Sequence, residues 1–333
     1  MRIAIVGAGA MGSLLGHGFC RAGHDVALLD TGHRVAHLHS VGGLTVVGAT
    51  GEESTAAPGL ITADPAALGT RDVVVLATKA HQLPAVAPAV ARMAHPDSVI
   101  VTIQNGIPWW YLYGLEGFAG RERIPCLDPE GVLDRCIDTA RVVGCVAYPA
   151  ATLDDEGRCH HVEGVRFPVG ELDGSIRERT ETLATLFQEA GFKSRVIEDI
   201  RSEIWLKAWG ALSINPISAL ARATMEDICT FPESRDLVAA MMAEAQAVAE
   251  ALGAGFRHTI EKRIEGARAV GAHKTSMLQD VQAGRPLELD ALMRSVLELA
   301  RLVDVETPMI RAIYACTALL NDNLRKARQA DAA

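Results

Sequence analysis

Apolar residues fall in short blocks over the first two hundred positions of the chain and in long helical stripes thereafter. Strands are expected at Arg2–Val6, Asp25–Leu29, Asp72–Ala77 and Ser98–Ile103. The runs VVVLAT and VIVTI are almost unbroken, as in strands covered by helices on both faces. Helical stretches near 12–22, 81–94 and 175–190 separate or follow them, and this alternation predicts an open parallel sheet. Residues 107–139 interrupt it with a stretch rich in Gly and Pro that carries four aromatics in the five positions from Trp109 to Tyr113. Strand-like runs resume at Arg141–Tyr148, His160–Val162, Val165–Val169 and Ser194–Ile197. From Asp199 helical patterns take over, at 199–221, 233–252, 257–271, 286–304 and 307–328. In GRPLEL, Pro286 followed by Glu288 resembles a helix start. The expected organisation is an α/β half, residues 1–197, and an all-α half, residues 198–333, with no internal repeat or flexible linker.

Length agrees with two domains, because single cores rarely grow past about 250 residues and the chain has 333. The net charge of −9 comes without a basic run, which argues against nucleic acid or an anionic membrane as partner. No apolar run reaches the roughly 18 residues of a membrane span, and a strand at the very start leaves no room for a signal peptide. Seven scattered cysteines, with no Cys-x-x-Cys pair, read as free thiols in a reducing cytosol. A cytoplasmic enzyme is expected.

Between the first strand and the first helix lies VGAGAMG, residues 6–12, which holds a G-x-G-x-x-G in Gly7, Gly9 and Gly12. Such a loop needs glycine for a tight turn, for close approach of a pyrophosphate and for helix–strand packing. The helix that follows offers unpaired N–H groups to phosphate, so Gly7, Ala8, Gly9, Ala10, Met11 and Gly12 are expected to hold a dinucleotide. Asp30, at the end of the second strand, can accept hydrogen bonds from ribose hydroxyls and would repel a 2′-phosphate. That favours NAD, although His33 and Arg34 follow closely enough to fold back onto a phosphate, so NADP stays open.

The segment EIWLKAWGALSINPISALAR, residues 203–222, sets one ammonium, Lys207, in an apolar helix flanked by Trp205 and Trp209. On a helical wheel Lys207, Ala211, Asn215, Ser218 and Arg222 fall within about 80° of one another. Pro216 cannot donate its backbone N–H, and a bend is expected near 213–215. Reduction of a ketone builds negative charge on the carbonyl oxygen, which something must stabilise and protonate. An ammonium carries that proton at neutral pH, and burial lowers its pKa toward a useful range. Lys207 reads as the general acid and Glu288 as its orienting carboxylate; a snorkelling lysine and a dipole-complementing glutamate are the plainer alternatives. Lys79 can neutralise a cofactor phosphate or a substrate carboxylate. Asn105-Gly106 serves either the cofactor or only a turn, and Ser276 either a carboxylate or only a helix cap.

With VGAGAMG, LATKAHQ (76–82), TIQNGI (102–107), the Lys207 helix and SMLQDVQAGRPLELD (276–290), the chain resembles ketopantoate reductases, 2-dehydropantoate 2-reductases. The resemblance implies a Rossmann doubly wound parallel sheet domain plus an all-α C-terminal domain similar to that of 6-phosphogluconate dehydrogenase, with the active site in the cleft between them. It implies NAD(P)H-dependent reduction of a 2-keto acid to a 2-hydroxy acid, as in the pantothenate pathway. By that pattern Lys79 and Gln82 lie beside the cofactor and Asn105 at its nicotinamide end. Lys207 is the catalytic lysine, Asn215 contacts substrate, Ser276 binds the carboxylate, and Glu288 sits near the substrate hydroxyl and nicotinamide ribose.

The chain departs from the pattern in three ways. Thr31 follows Asp30 where NADP-using members carry arginine. Ala211 and Met225 stand where the family has asparagines. The aromatic excursion after Gly106 is long, and Trp109, Trp110, Tyr111 and Tyr113 either wall a pocket for a bulkier keto acid or pack the excursion on the surface. The expected function is ketopantoate reduction. The alternatives are an NAD-dependent dehydrogenase of a bulkier 2- or 3-hydroxy acid, and a non-catalytic dinucleotide sensor. A metal site is not expected, since the histidines of Cys159-His160-His161 alternate faces along a strand and His37-x-His39 stands alone. The partner is a small 2-keto acid, and the long late helices are compatible with a homodimer.

Overall fold

The computed structural model describes residues 1–331, which fall by contact into two groups. The first comprises Met1–Gln104, Trp109–Arg123 and Asp128–Ile200, the second Asn105–Pro108, Ile124–Leu127 and the chain from Arg201 onward.

The first group holds eleven strands: β1 (Arg2–Val6), β2 (Asp25–Leu29), β3 (Leu44–Val47), β4 (Glu53–Ala56), β5 (Leu60–Thr62), β6 (Arg71–Leu76), β7 (Ala94–Thr102), β8 (Val142–Cys145), β9 (Ala150–Leu153), β10 (Cys159–Glu163) and β11 (Val169–Glu171). Its helices are α1 (Ala10–Arg21), α2 (Gly32–Ser40), α3 (Leu83–Met93), α4 (Val132–Cys136) and α5 (Glu178–Glu189). The main sheet runs β11-β8-β7-β6-β1-β2-β5, parallel throughout except for the antiparallel edge pair β8–β11. Strand order turns at β1, with β2 on one side and β6 on the other. At such a point two crossovers diverge and leave a crevice at the carboxyl ends of the strands. Val73–Leu76 and Ile100–Val101 are buried, as expected of strands covered on both faces.

A second sheet, β4-β3-β10-β9, packs against α1, where a Cβ on Gly16 would lie 2.7 Å from Leu44 Cδ1. In the core of this group Phe19, Phe167, Phe187 and Phe192 form an aromatic cluster with neighbouring ring centroids 5.0–5.5 Å apart. Edge-to-face and stacked pairs of this kind add to the area that they bury. The expected strand at Ser194–Ile197 is reduced to bridges, Val169 with Val196 and Arg166 with Lys193. Three of the four aromatics of the excursion are core, and Tyr113 is exposed. Trp109, Trp110 and Tyr111 are buried, and the Trp110 indole N–H donates to Thr102 Oγ1 at 3.0 Å. A Cβ on Gly144 of β8 would lie 3.0 Å from the Trp110 ring, so the strand is notched to receive it.

The long helix α6 (Ile200–Ala221) carries most of its residues in the second group, with α7 (Met225–Thr230), α8 (Pro232–Ala251), α9 (Ile260–Arg268), α10 (Ser276–Gln282), α11 (Ser295–Leu302) and α12 (Pro308–Asp331). Trp205 and Trp209 are wholly buried, and the Trp209 N–H donates to the Met242 carbonyl of α8 at 2.7 Å. Glu244 of α8 accepts the backbone N–H groups of Met309 and Ile310, two of the donors that the start of α12 leaves without helical acceptors. Helix α6 is assigned without a break through Pro216.

Candidate active site

The glycine loop joins β1 to α1 above the switch point. Gly7 has φ +100°, and a Cβ there would lie 2.8 Å from Thr78 Cγ2 and 2.9 Å from Thr78 N. A Cβ on Gly12 would lie 1.8 Å from the Gly7 carbonyl oxygen. Both positions exclude any side chain. Gly9 is different: nothing lies within 4 Å of the place its Cβ would take, so bare backbone faces open space. Ala10, Met11 and Gly12 begin α1, and their N–H groups lack intrahelical acceptors. That is the arrangement a pyrophosphate needs.

Asp30 frames the loop from the side. Its Oδ2 accepts the Ala8 N–H and its Oδ1 accepts the Thr31 N–H at 2.6 Å. Arg34 holds the other end of the Ala8 peptide unit. Its Nε donates to Ala8 O at 3.1 Å, and its terminal nitrogen donates to Ser13 Oγ at 3.2 Å and Gly157 O at 3.1 Å. Burial pulls the Arg34 guanidinium below its ordinary pKa, and the nearby Asp30 carboxylate opposes that. On the same side the Cys159 thiol donates to Ala10 O at 3.3 Å; burial pushes it up to about 12, which leaves it protonated and inert.

A pocket of about 710 Å³ opens from this loop. Gly7, Gly9, Asp30 and Thr31 form one wall, and Ala63, Pro65, Ala85, Val86 and Ala89 make an apolar slot. Lys79, His81 and Gln82 stand at its edge. Lys79 precedes a short 3-10 turn, Ala80–Gln82, and its N–H donates to Gln82 Oε1 at 3.1 Å. Gln104 braces the strand end, donating to Leu76 O at 2.7 Å and Thr78 O at 3.0 Å. The residues present fit a dinucleotide: donors for phosphate, a carboxylate for a ribose, and a slot for a flat base. Sequence reasoning found the polar part of this pocket. It missed Gln104 and the apolar slot, whose Ala85, Val86 and Ala89 were signalled only by the run of small residues in LPAVAPAVA.

The second group gathers the other expected residues. Lys207 is half-buried on α6 and donates to Asn105 Oδ1 at 2.6 Å. Ala211 and Asn215 follow one and two turns later, both half-exposed, with Asn215 about 12 Å along the helix from Lys207. Ser218 leaves the stripe: it is buried and donates to the Ala223 carbonyl at 2.6 Å, closing the end of the helix. Ser276 is the exposed first residue of α10. The cap there belongs to Thr275, whose hydroxyl accepts the Leu278 N–H, so the Ser276 hydroxyl is not spent on capping. Glu288 is half-buried between Leu287 and Leu289, and the Leu287 N–H is fixed by Asn321 Oδ1 at 2.8 Å. Among the described residues no group of His, Cys, Asp and Glu could hold a metal ion, and no helix is long and apolar enough to cross a membrane.

Comparison with known proteins converges on one family. The ketopantoate reductase PanE/ApbA profile matches residues 3–174, and the ketopantoate reductase PanE/ApbA C terminal profile matches residues 199–321. A 2-dehydropantoate 2-reductase of Mesorhizobium japonicum is 45% identical over 318 residues, 95% of this chain and 96% of the relative. A solved structure from Ralstonia solanacearum, provisionally named a ketopantoate reductase, superimposes with a TM-score of 0.90 at 36% identity, covering 97% of this chain and 98% of the other. The 2-dehydropantoate 2-reductase of Geobacter metallireducens gives a TM-score of 0.83 at 26% identity, covering 96% and 99%.

Proposed function

Because this chain belongs to the ketopantoate reductase family, we propose that it reduces 2-dehydropantoate (ketopantoate) to pantoate, with Lys207 as the general acid. It is an oxidoreductase acting on a CH–OH group, and its coenzyme is a nicotinamide dinucleotide. We read residues 1–197 as the coenzyme domain and 198–333 as the catalytic domain of a cytoplasmic enzyme, compatible with a homodimer.

The observation that carries the reading is the Lys207 ammonium, held by Asn105 on an apolar helix. Asn105 Oδ1 accepts from Lys207 Nζ at 2.6 Å and orients the ammonium. A reduced nicotinamide held by the glycine loop would supply hydride to the keto carbon, and the charge left on the carbonyl oxygen falls to this chain's residues to stabilise. Lys207 donates a hydrogen bond to that oxygen, then its proton, and is itself reprotonated from solvent. In this reading Ser276 and Asn215 receive the carboxylate and a hydroxyl of the substrate, and Glu288 accepts from the substrate hydroxyl and keeps the site electrically balanced. Ala8, Gly9, Ala10, Met11 and Gly12 supply backbone to the pyrophosphate, with Lys79 and Gln82 beside it. The preferred coenzyme is NADH. Asp30 offers a carboxylate where a 2′-phosphate would stand, Thr31 brings no charge, and Arg34 is already engaged by Ala8, Ser13 and Gly157.

Replacing Lys207 by methionine tests the assignment. Turnover of ketopantoate should fall about 10²- to 10⁴-fold, the span of a general acid, while NADH still binds. Turnover that survives the change removes Lys207 from the chemistry. Tight coenzyme binding by the unaltered protein, without turnover, would instead mark a sensor. One observation favours a second reading, a bulkier 2-keto acid as substrate. Ala211 leaves about one helical turn of apolar, half-exposed surface between Lys207 and Asn215.

A further inference from the structure

The segment after Glu288 does not continue as a regular α-helix. Over Asp290–Arg294 it forms a single π turn, in which the Ser295 N–H reaches back five residues to the Asp290 carbonyl. Widening a helix by one residue takes carbonyls out of the i→i+4 ladder, and single π turns are common at functional sites. Here the carbonyl of Ala291 takes two donors from outside that ladder: the Ile107 N–H at 2.7 Å and the Ser295 hydroxyl at 2.8 Å. Asp290 O faces Cys126 Sγ at 3.9 Å, and Glu298, one turn past Ser295, accepts the Cys126 N–H at 3.0 Å.

Ile107 is two residues from Asn105, and the residue between them is a glycine for a stated reason. Gly106 has φ +84°, and a Cβ there would lie 2.2 Å from the Ala291 carbonyl oxygen and 2.5 Å from its carbon. The backbone of residue 106 thus lies flat against the Ala291 peptide, where only glycine fits. Asn105 itself is exposed, so side-chain packing does little to fix it. What fixes it is the seam between Gly106–Ile107 and Ala291.

We infer that this π turn, with Gly106 and Ser295, is the positioning device of the reaction: it sets Asn105 so that its Oδ1 receives Lys207 Nζ and aims the ammonium. The inference rests on Lys207 being the general acid. Gly106 and Ser295 touch no reacting atom and act through Asn105. A neutral acceptor on an ammonium favours the charged form, so a displaced Asn105 lowers the proton affinity of Lys207 as well as misaiming it.

The test is a double-mutant cycle between Gly106→Ala and Asn105→Ala, with Ser295→Ala against Asn105→Ala as a second cycle should the alanine at 106 prevent folding. Alone, Gly106→Ala should cut kcat about 10- to 100-fold, the effect of a misplacement near 1 Å. The KM for NADH should hold, the Ile107 amide should lose protection from hydrogen exchange, and the alkaline limb of the kcat profile should move to lower pH. In the Asn105→Ala background the same change should cost no more than about twofold, because the group it positions is already gone. Ser295→Ala should show the same pattern with a smaller loss. Additive losses in both cycles, or an alkaline limb that stays in place, would overturn the inference. Lys207→Met separates the two levels. If it is active, the general-acid reading fails; if it is inactive while the cycles are additive, only the positioning role fails.

Discussion

Arg34 distinguishes two accounts of coenzyme choice. If it ties the glycine loop together, Arg34→Met should weaken NADH and NADPH alike; if it is a phosphate clamp, only NADPH should suffer. The structure sets the size of the first effect. Three hydrogen bonds are lost, at 3.1, 3.2 and 3.1 Å. Each joins a charged donor to a neutral acceptor, about 1.5 kcal/mol apiece at the low end of the charged range. Two features reduce the sum. Ser13 Oγ still donates to Ala8 O at 3.1 Å, and methionine does not carry the desolvation cost of a half-buried guanidinium. A net loss of about 2 kcal/mol on the bound loop corresponds to roughly a 30-fold rise in Kd. Fluorescence titration of both reduced coenzymes reads it directly, and the ratio of the two Kd values should stay within about threefold of the unaltered protein. A selective loss of NADPH binding, tenfold or more beyond that of NADH, would refute the reasoning and make Arg34 a clamp.

Asp30→Asn removes a charge that would face a 2′-phosphate. For a phosphate of about −1.5 roughly 6 Å away, at an effective dielectric near 40, the repulsion is about 2 kcal/mol. The NADPH-to-NADH ratio of kcat/KM should rise about 30-fold, and an unchanged ratio would take Asp30 out of selectivity. Ala211→Asn restores a polar group between Lys207 and Asn215. One added hydrogen bond should raise kcat/KM for ketopantoate about tenfold relative to a bulkier keto acid, and no change in relative rates would argue against the bulkier substrate. Glu171 reports on stability. Burial pushes its carboxyl up, but hydrogen bonds from Arg179 and Thr180 and the charges of Arg179 and Arg177 outweigh that and hold it below the ordinary value. A depressed carboxylate contributes stability above its unfolded pKa and loses it as pH falls through the folded one. The unfolding free energy of Glu171→Gln, from denaturant titration, should therefore lie below that of the unaltered protein by about 3 kcal/mol at neutral pH. The gap should close toward low pH, and a gap independent of pH would show packing rather than charge.

What could be read from the sequence was what local constraint dictates. β1, β2, β6, β7 and α6 announce themselves by period and apolarity, and the glycine loop by positions that admit no side chain. Of the second sheet only β10 did, as the expected run His160–Val162. Leu44–Val47 and Glu53–Ala56 are four-residue strands of mixed polarity, and β3 gains its place by pairing Val46 with Cys159, a partner far along the chain. The aromatic run was expected either at a pocket wall or on the surface. Trp109, Trp110 and Tyr111 went into the core, where Gly144 opens a socket for Trp110, and no pattern near Trp110 encodes that. The Lys207–Asn105 bond spans 102 residues, so composition named both residues without joining them. The π turn is invisible for a further reason. LELDALMRSVLELA keeps an ordinary helical pattern of apolar positions, and the widened turn is known only from where its carbonyls point.

The chain leaves the first group at Asn105, returns at Trp109, leaves again at Ile124 and returns at Asp128 before passing over at Arg201. Exchanging halves between relatives by a single crossover near residue 198 would therefore import a foreign Ala291 beneath a native Gly106. Such hybrids should be soluble yet sluggish. Carrying the two short tetrapeptides, 105–108 and 124–127, across with the helical half should restore their rate.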